Sequence, residues 1–190
     1  MNTLTHIIAA AAILAKPNET KRNWAIAAGA LAPDISIYIF FACMMLFTEL
    51  SMSQIWQEAY WTEPWQTIGA ISNSVPFAAG AFFVGIWREW SLVTVFSSAM
   101  LIHAGLDFPL HADDAHRHFW PITDWRFQSP ISYWDPRHGG RIGAFVEFVT
   151  FIAATGLLFK RFEARRVRLG LSFLAFAYVV LMLAVSFQDH

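Results

Sequence analysis

His103 and Asp107 stand four positions apart at the end of an apolar run, just before Pro109. On a helix that spacing puts the imidazole and the carboxylate on one face, one turn and about 6 Å apart along the axis. Groups so placed can share one divalent cation. The simpler alternative is a packed histidine bonded to an aspartate that closes the helix. The apolar setting brings the two alternatives level, because ionisable groups are costly there. Directly after the pair comes a loop dense in the same residue types: His111, Asp113, Asp114, His116 and His118.

Two further residues join this set. Asp34 follows Pro33 in the middle of the apolar stretch 24–47, where proline breaks the helix. A carboxylate at that depth needs a partner, either a cation or the backbone of the half-helix it would cap. His6 falls in the first turn of an N-terminal helix opened by Thr3 or Thr5. Two nitrogens and two oxygens, from His6, Asp34, His103 and Asp107, suit one divalent ion of the zinc type. With one carboxylate off the ion, water can be activated, and Asp107 or Asp34 would serve as the general base. Arg117 and Arg126 are expected to hold an anionic group such as a phosphate.

Around these stand accessory candidates: Asn73, His111, His116, His118 and Glu147. The loop histidines read first as a solvated, hydrogen-bonded loop and second as an accessory metal site. Glu147 reads first as the partner of Arg141 and second as an extra ligand. Trp120, Trp125, Phe127, Tyr133 and Trp134 read as interface anchors ahead of groove-lining residues.

The elements that must position these groups are set by composition. Of 190 residues, 56% are hydrophobic and 14% charged, against about 25% charged in an ordinary soluble domain. Mean hydropathy is +0.43. This is the composition of a helical membrane protein with a single integral membrane domain over 1–190. The net charge of −1 gives no reason to expect nucleic acid as a partner. The lone Cys43 excludes an internal disulfide. An all-α bundle of about five long apolar helices is expected, over 24–47, 71–87, 91–108, 143–159 and 169–187. A short N-terminal helix and the polar loop 109–142 complete it. Residues 1–15 lack the charge order of a signal peptide and read as a retained helix that packs in the bundle or dips into the bilayer. In the loop 48–70, Trp56, Tyr60, Trp61 and Trp65 suit an interface belt.

Charge sets the orientation. If the long segments alternate, nine of the thirteen Lys and Arg residues fall on one side, among them Lys16, Arg22, Arg88 and the run 160–168. That side is expected to be cytoplasmic, which puts the 109–142 loop in the periplasm of a bacterial inner membrane.

Four stretches together resemble a known family. Thr5-His6, Gly29-x-x-x-Pro33-Asp34, His103-x-x-x-Asp107 and Trp120-Pro121-Ile122-Thr123-Asp124-Trp125-Arg126-Phe127 are similar, in order, to motifs of the bacterial membrane-bound metal-dependent hydrolases of the YdjM type. The resemblance covers residues 1 to about 135. Two positions depart from the family's pattern. Ser36 stands where a second aspartate is usual, and Asn73 stands where a ligand histidine is usual. An amide oxygen is a weaker zinc ligand than an imidazole, so one divalent metal, zinc by preference, is expected. His111, His116 or His118 would supply the missing nitrogen.

The resemblance implies a hydrolase acting on a lipid-like ester or phosphoester at the outer face, with membrane lipids as its surroundings. The two departures keep open a second class, a non-catalytic subunit of a larger membrane complex with protein partners. A transporter built on the broken helix at Pro33 ranks third, since no internal repeat supports it.

Overall fold

In the computed structural model, which describes residues 1–186, the chain is all-helical, with no strand among the described residues. In order the helices are α1 (Thr3–Leu14), α2 (Thr20–Leu31), α3 (Ile35–Phe47), α4 (Met52–Gln57), α5 (Glu63–Ser72), α6 (Val75–Trp87), α7 (Ser91–Asp107), α8 (Gly140–Arg161) and α9 (Arg165–Ser186). Residue 187, the end of the expected last span, lies outside the described residues.

Among the described residues, two stretches are long and apolar enough to cross a bilayer, Glu63–Trp87 and Gly140–Arg161; α2 and α3, bent by 61° at their break, would make a third. This corrects the expectation of about five long helices. Hydropathy counts apolar residues whether lipid or protein covers them. The helix α1 has 12 residues, about 18 Å, and its apolar surface is largely buried against α2, α7 and α8. The helix α7 has 17 residues and stops at Asp107, ahead of Pro109. Apolar side chains exposed on the outer faces, such as Leu46, Phe47, Phe83, Phe145, Phe173 and Phe176, are what lipid contact requires.

The core lies where α1, α2, α7 and α8 meet, around Ile8, Ala10, Ile26, Ala30, Val95, Ala99, Phe151 and Leu158. Small residues allow this closeness, as is usual between helices in lipid. At Gly29 on α2, any β-carbon would collide with the Phe96 carbonyl of α7. The break between α2 and α3 has a local cause. Pro33 has no N–H, and the Asp34 amide donates to the Leu31 carbonyl rather than to Ala30, at 3.0 Å. The carbonyl of Ala30 is thereby left free for another donor.

A second break, at Asn73–Ser74, separates α5 from α6. The segment 108–139 docks on it. The Val75 amide donates to the His118 carbonyl at 2.8 Å, and Ser74 Oγ donates to the Trp120 carbonyl at 2.6 Å. The segment also ties itself together, with Ser129 N to His111 O at 2.9 Å and Tyr133 N to Leu110 O at 3.0 Å. It is a folded cap over one end of the bundle, in place of the solvated loop expected. Its buried backbone groups need partners, and cross-bonds within the cap supply them.

Charge separates along the bundle. At the C-terminal end of α1, Arg22 Nε donates to the Leu14 carbonyl at 3.2 Å and Arg161 to the Ala15 carbonyl at 2.9 Å. The opposite end carries the cap and the His/Asp residues.

Candidate metal centre

The first turn of α1, the α2–α3 break and the last turn of α7 converge at the capped end. His6 Nε2 lies 2.9 Å from Asp107 Oδ1, and His103 Nε2 lies 3.0 Å from Asp107 Oδ2 and 3.6 Å from Asp34 Oδ1. The two imidazoles stack, with centroids 3.6 Å apart and planes 15° from parallel. One ligand atom each from His6, Asp34 and His103 fall within 4.8 Å of one another, the spacing of a possible ion site. The four residues of the expected set are thus brought together across 101 positions of chain.

Each side chain is held by a feature of its own element. His103 Nδ1 donates to the Ala30 carbonyl that the Pro33 break releases, at 2.7 Å, which turns Nε2 toward Asp107 and Asp34. Asp34 Oδ2 accepts from the Thr3 hydroxyl, which also contacts Tyr38 OH at 2.7 Å. Asn2 caps α1 by accepting from the Thr5 amide at 3.1 Å.

Glu147, buried on α8, is not the partner of Arg141. Its Oε1 accepts from the Asn2 amide at 3.2 Å, the Thr5 hydroxyl at 3.0 Å, Tyr178 OH at 3.3 Å and the Asn2 side-chain amide. Arg141 is exposed, whereas Glu147 faces inward toward α1. Glu147 therefore locks the turn that carries His6. Glu147→Ala is expected to cost about 1–3 kcal/mol, because buried donors lose their acceptor. Thermal unfolding in detergent reads this, and an unchanged midpoint would mean that α1 is held by other contacts.

Three nitrogens at the centre have no hydrogen bond although they are fully buried: His6 Nδ1, His6 Nε2 and His103 Nε2. The two Nε2 atoms sit close to Asp107 but off the line an N–H···O bond needs. Buried imidazole nitrogens left unbonded beside two carboxylates fit a divalent cation, which binds neutral imidazole and ionised carboxylate in one shell.

The cap adds a second group. His111 Nε2 lies 3.3 Å from Asp107 Oδ1, and its Nδ1 is 2.9 Å from Asp114 Oδ2, which also accepts from Trp134 Nε1 at 2.9 Å. His116 lies beside it, ring centroids 4.9 Å apart. His111 and His118 are buried and His116 half-buried, a correction to the solvated reading. Burial opposes charge on His111, but the carboxylates of Asp107 and Asp114 outweigh it and raise its pKa to about 9. Burial, with the charge on His111 second, pushes His116 down to about 3, so its ring is neutral at pH 7. His118 turns away, its Nδ1 3.3 Å from the Asn73 carbonyl. Met1 Nα lies 2.7 Å from Asp107 Oδ1 and 3.4 Å from His111 Nε2.

A cavity of about 230 Å³ borders both groups, with Asp34, His111 and His116 on its wall. Tyr60 and Trp65, expected at the membrane interface, line it instead and pack on Phe40 with centroids 5.5 and 5.1 Å away. Sequence offered no signal for that, since a belt and a cavity wall use the same aromatic residues. Asn73 also lines the cavity, with its Nδ2 3.0 Å from the Gly69 carbonyl and its Oδ1 unbonded.

Arg117 reaches the cavity as well, but its Nη1 donates to Glu63 at 3.0 Å and Asp124 at 3.1 Å, which leaves only Nε unpaired. Arg126 donates to the Ala115 carbonyl at 3.1 Å and Gln66 at 2.9 Å, and is not on the cavity wall. A third group, Asp113, Asp135 and His138, is bridged by Arg137, whose Nη2 lies 2.7 Å from Asp135 and 3.4 Å from Asp113. No family model, curated protein or solved structure matches this chain.

Proposed function

We propose that this chain is a membrane-embedded, metal-dependent hydrolase of the kind its motifs resemble. Its proposed substrate is a lipid-like ester or phosphoester, and its site opens toward the outer face of a bacterial inner membrane. One observation carries the reading: unbonded, buried imidazole nitrogens of His6 and His103 converge with the carboxylates of Asp34 and Asp107 beside a cavity. His6, His103 and Asp107 would hold the ion, with Asp34 beside it but off the metal, so that one coordination position stays open for water. A divalent ion there supplies Lewis acidity and brings the pKa of water toward about 7.

The chain's own groups divide the remaining work. Side-chain exposure is 18% for Asp34 and 2% for Asp107, so Asp34 is the carboxylate that meets solvent and substrate. It is the better general base, taking a proton from the attacking water. Asp107, enclosed by His6, His103 and His111, serves as ligand and orienter. The wall formed by Ile37 and Tyr38 on α3 adjoins the exposed Ile35 and Ile39, which suits a substrate arriving from the lipid. The basic residues gathered at the far end support a cytoplasmic assignment for that end.

The test is metal analysis and hydrolysis by the purified protein in detergent, stripped with chelator and reloaded with zinc. At least one tightly held ion per chain is expected, with cleavage of a lipid phosphoester or carboxyl ester in mixed micelles that His103→Ala abolishes. Absence of bound metal in the unmutated protein overturns the reading.

A non-catalytic subunit is the second reading, and one feature favours it. Ser36 and Asn73, the two departures from the motif pattern, both donate to the Pro33 carbonyl, at 3.2 and 3.3 Å, and so serve the helix break rather than an ion. Co-purification with a stoichiometric partner and no metal would support that reading.

A further inference from the structure

The loop histidines lie outside the motifs that carry the family resemblance, yet they form the cavity-side half of the polar cluster. We propose that His111 and His116 hold a second divalent cation, which shares the carboxylate of Asp107 with the ion at His6 and His103. This rests on the reading of the first site given above.

Geometry supports it in three ways. Ligand atoms of Asp107, His111 and His116 lie within 4.8 Å of one another, as do those of the first group. Tetrahedral zinc with bonds of about 2.0–2.1 Å needs its ligands roughly 3.3 Å apart, so both groups need only tighten. Second, the Asp107 carboxylate touches ligands of both groups. Its Oδ1 is 2.9 Å from His6 Nε2 and 3.3 Å from His111 Nε2, and its Oδ2 is 3.0 Å from His103 Nε2. A carboxylate so placed can be shared between two ions.

Third, the new ligands are prepared. His111 Nδ1 meets the Asp114 carboxylate at 2.9 Å, the supporting contact that metal-bound histidines usually make, and Asp114 is itself held by Trp134. His116 has no hydrogen bond from either ring nitrogen among the described residues, although it faces the cavity. Aspartate and imidazole together suit zinc, cobalt or manganese, and His111 would give up its Nε2 proton to solvent as the ion binds.

The Met1 amine already sits between Asp107 Oδ1 and His111 Nε2. Its ammonium form is a competing cation, which the second ion must displace or recruit as an amine ligand. Asp34 of the first group and His111 and His116 of the second all line the cavity, so a substrate there would meet both groups.

The experiment uses the full chain, purified in detergent, stripped, loaded with Mn²⁺ alone and desalted. Metal content is measured by mass spectrometry, and the spectrum by electron paramagnetic resonance. Two ions per chain and an exchange-coupled spectrum are expected. His116→Gln should halve the content and give the uncoupled spectrum of one Mn²⁺. His118→Ala, which alters the neighbouring ring outside the group, should keep two. Helix content and monodispersity of each variant show that it is folded.

One ion per chain in the unmutated protein, unchanged by His116→Gln, overturns the second site and leaves the first intact. No ion at all overturns both. Equal loss of metal in His116→Gln and His118→Ala would assign the effect to the cap's fold and overturn the role given to His116.

Discussion

Asp107→Ala is expected to lower zinc affinity by more than about 100-fold, beyond the roughly 10–100-fold typical for loss of a supporting residue. The carboxylate is the common neighbour of His6, His103, His111 and the Met1 amine, at 2.9, 3.0, 3.3 and 2.7 Å. Without it these nitrogens lose the acceptor they share. In metal-free buffer the same change is expected to cost about 3–5 kcal/mol, the usual effect of removing one member of a buried charged set. Asp107→Asn separates the two effects. An amide keeps the volume and one acceptor oxygen, so the fold should largely survive while affinity falls. Chelator competition measures the affinity, and thermal unfolding without metal measures the stability. Equal zinc affinity in Asp107→Asn and the unmutated protein would remove Asp107 from the ligand set.

Gly29→Val should affect the centre without touching it. The new side chain meets the Phe96 backbone on α7, which cannot turn aside as a side chain would. The helices must move apart, and the Ala30 carbonyl moves with α2. His103 then loses the 2.7 Å contact that orients its ring. Overpacking of this kind costs about 1–3 kcal/mol and more where backbone is struck. Loss of a contact behind a metal ligand predicts a further drop of roughly 10–100-fold in zinc affinity. The matched control is Gly105→Ala on α7, where nothing lies within 4 Å of an added β-carbon. It should stabilise by about 0.4–1 kcal/mol and leave zinc binding unchanged. If Gly29→Val melts with the unmutated protein and binds zinc equally, the close α2–α7 crossing does not position the site.

The residues of the first group were legible before any coordinates. His6, Asp34, His103 and Asp107 are ionisable groups in apolar helices, where the energetic cost of burial itself marks them. Their convergence was not legible. It depends on the Pro33 break freeing the Ala30 carbonyl and on Glu147 gripping Asn2 and Thr5 from 145 and 142 positions away. A reading that looks along the chain pairs Glu147 with Arg141, because a sequence shows neighbours and not crossings.

The loop histidines were misjudged for a related reason. Polar composition suggests water, but the cap's cross-bonds bury His111 and His118 against the end of α7. The aromatic residues at 60 and 65 were placed at the interface because their type is the same in both settings. Helix count failed similarly. Composition reports that α1 and α7 are apolar but not that protein, rather than lipid, covers much of them.

Residue type, apolar periodicity and the placement of proline determined by themselves that this chain is helical, that its helices break at Pro33, and which ionisable groups need explaining. Each of those is a local property, set by backbone sterics or by the cost of placing charge among apolar neighbours. Only the tertiary structure decided which nitrogens stay unbonded, which carboxylate lies between two histidine groups, and which helices leave an apolar face exposed. Those outcomes depend on close contacts between segments up to about 145 residues apart, and hydrogen-bond geometry there changes within a few tenths of an ångström.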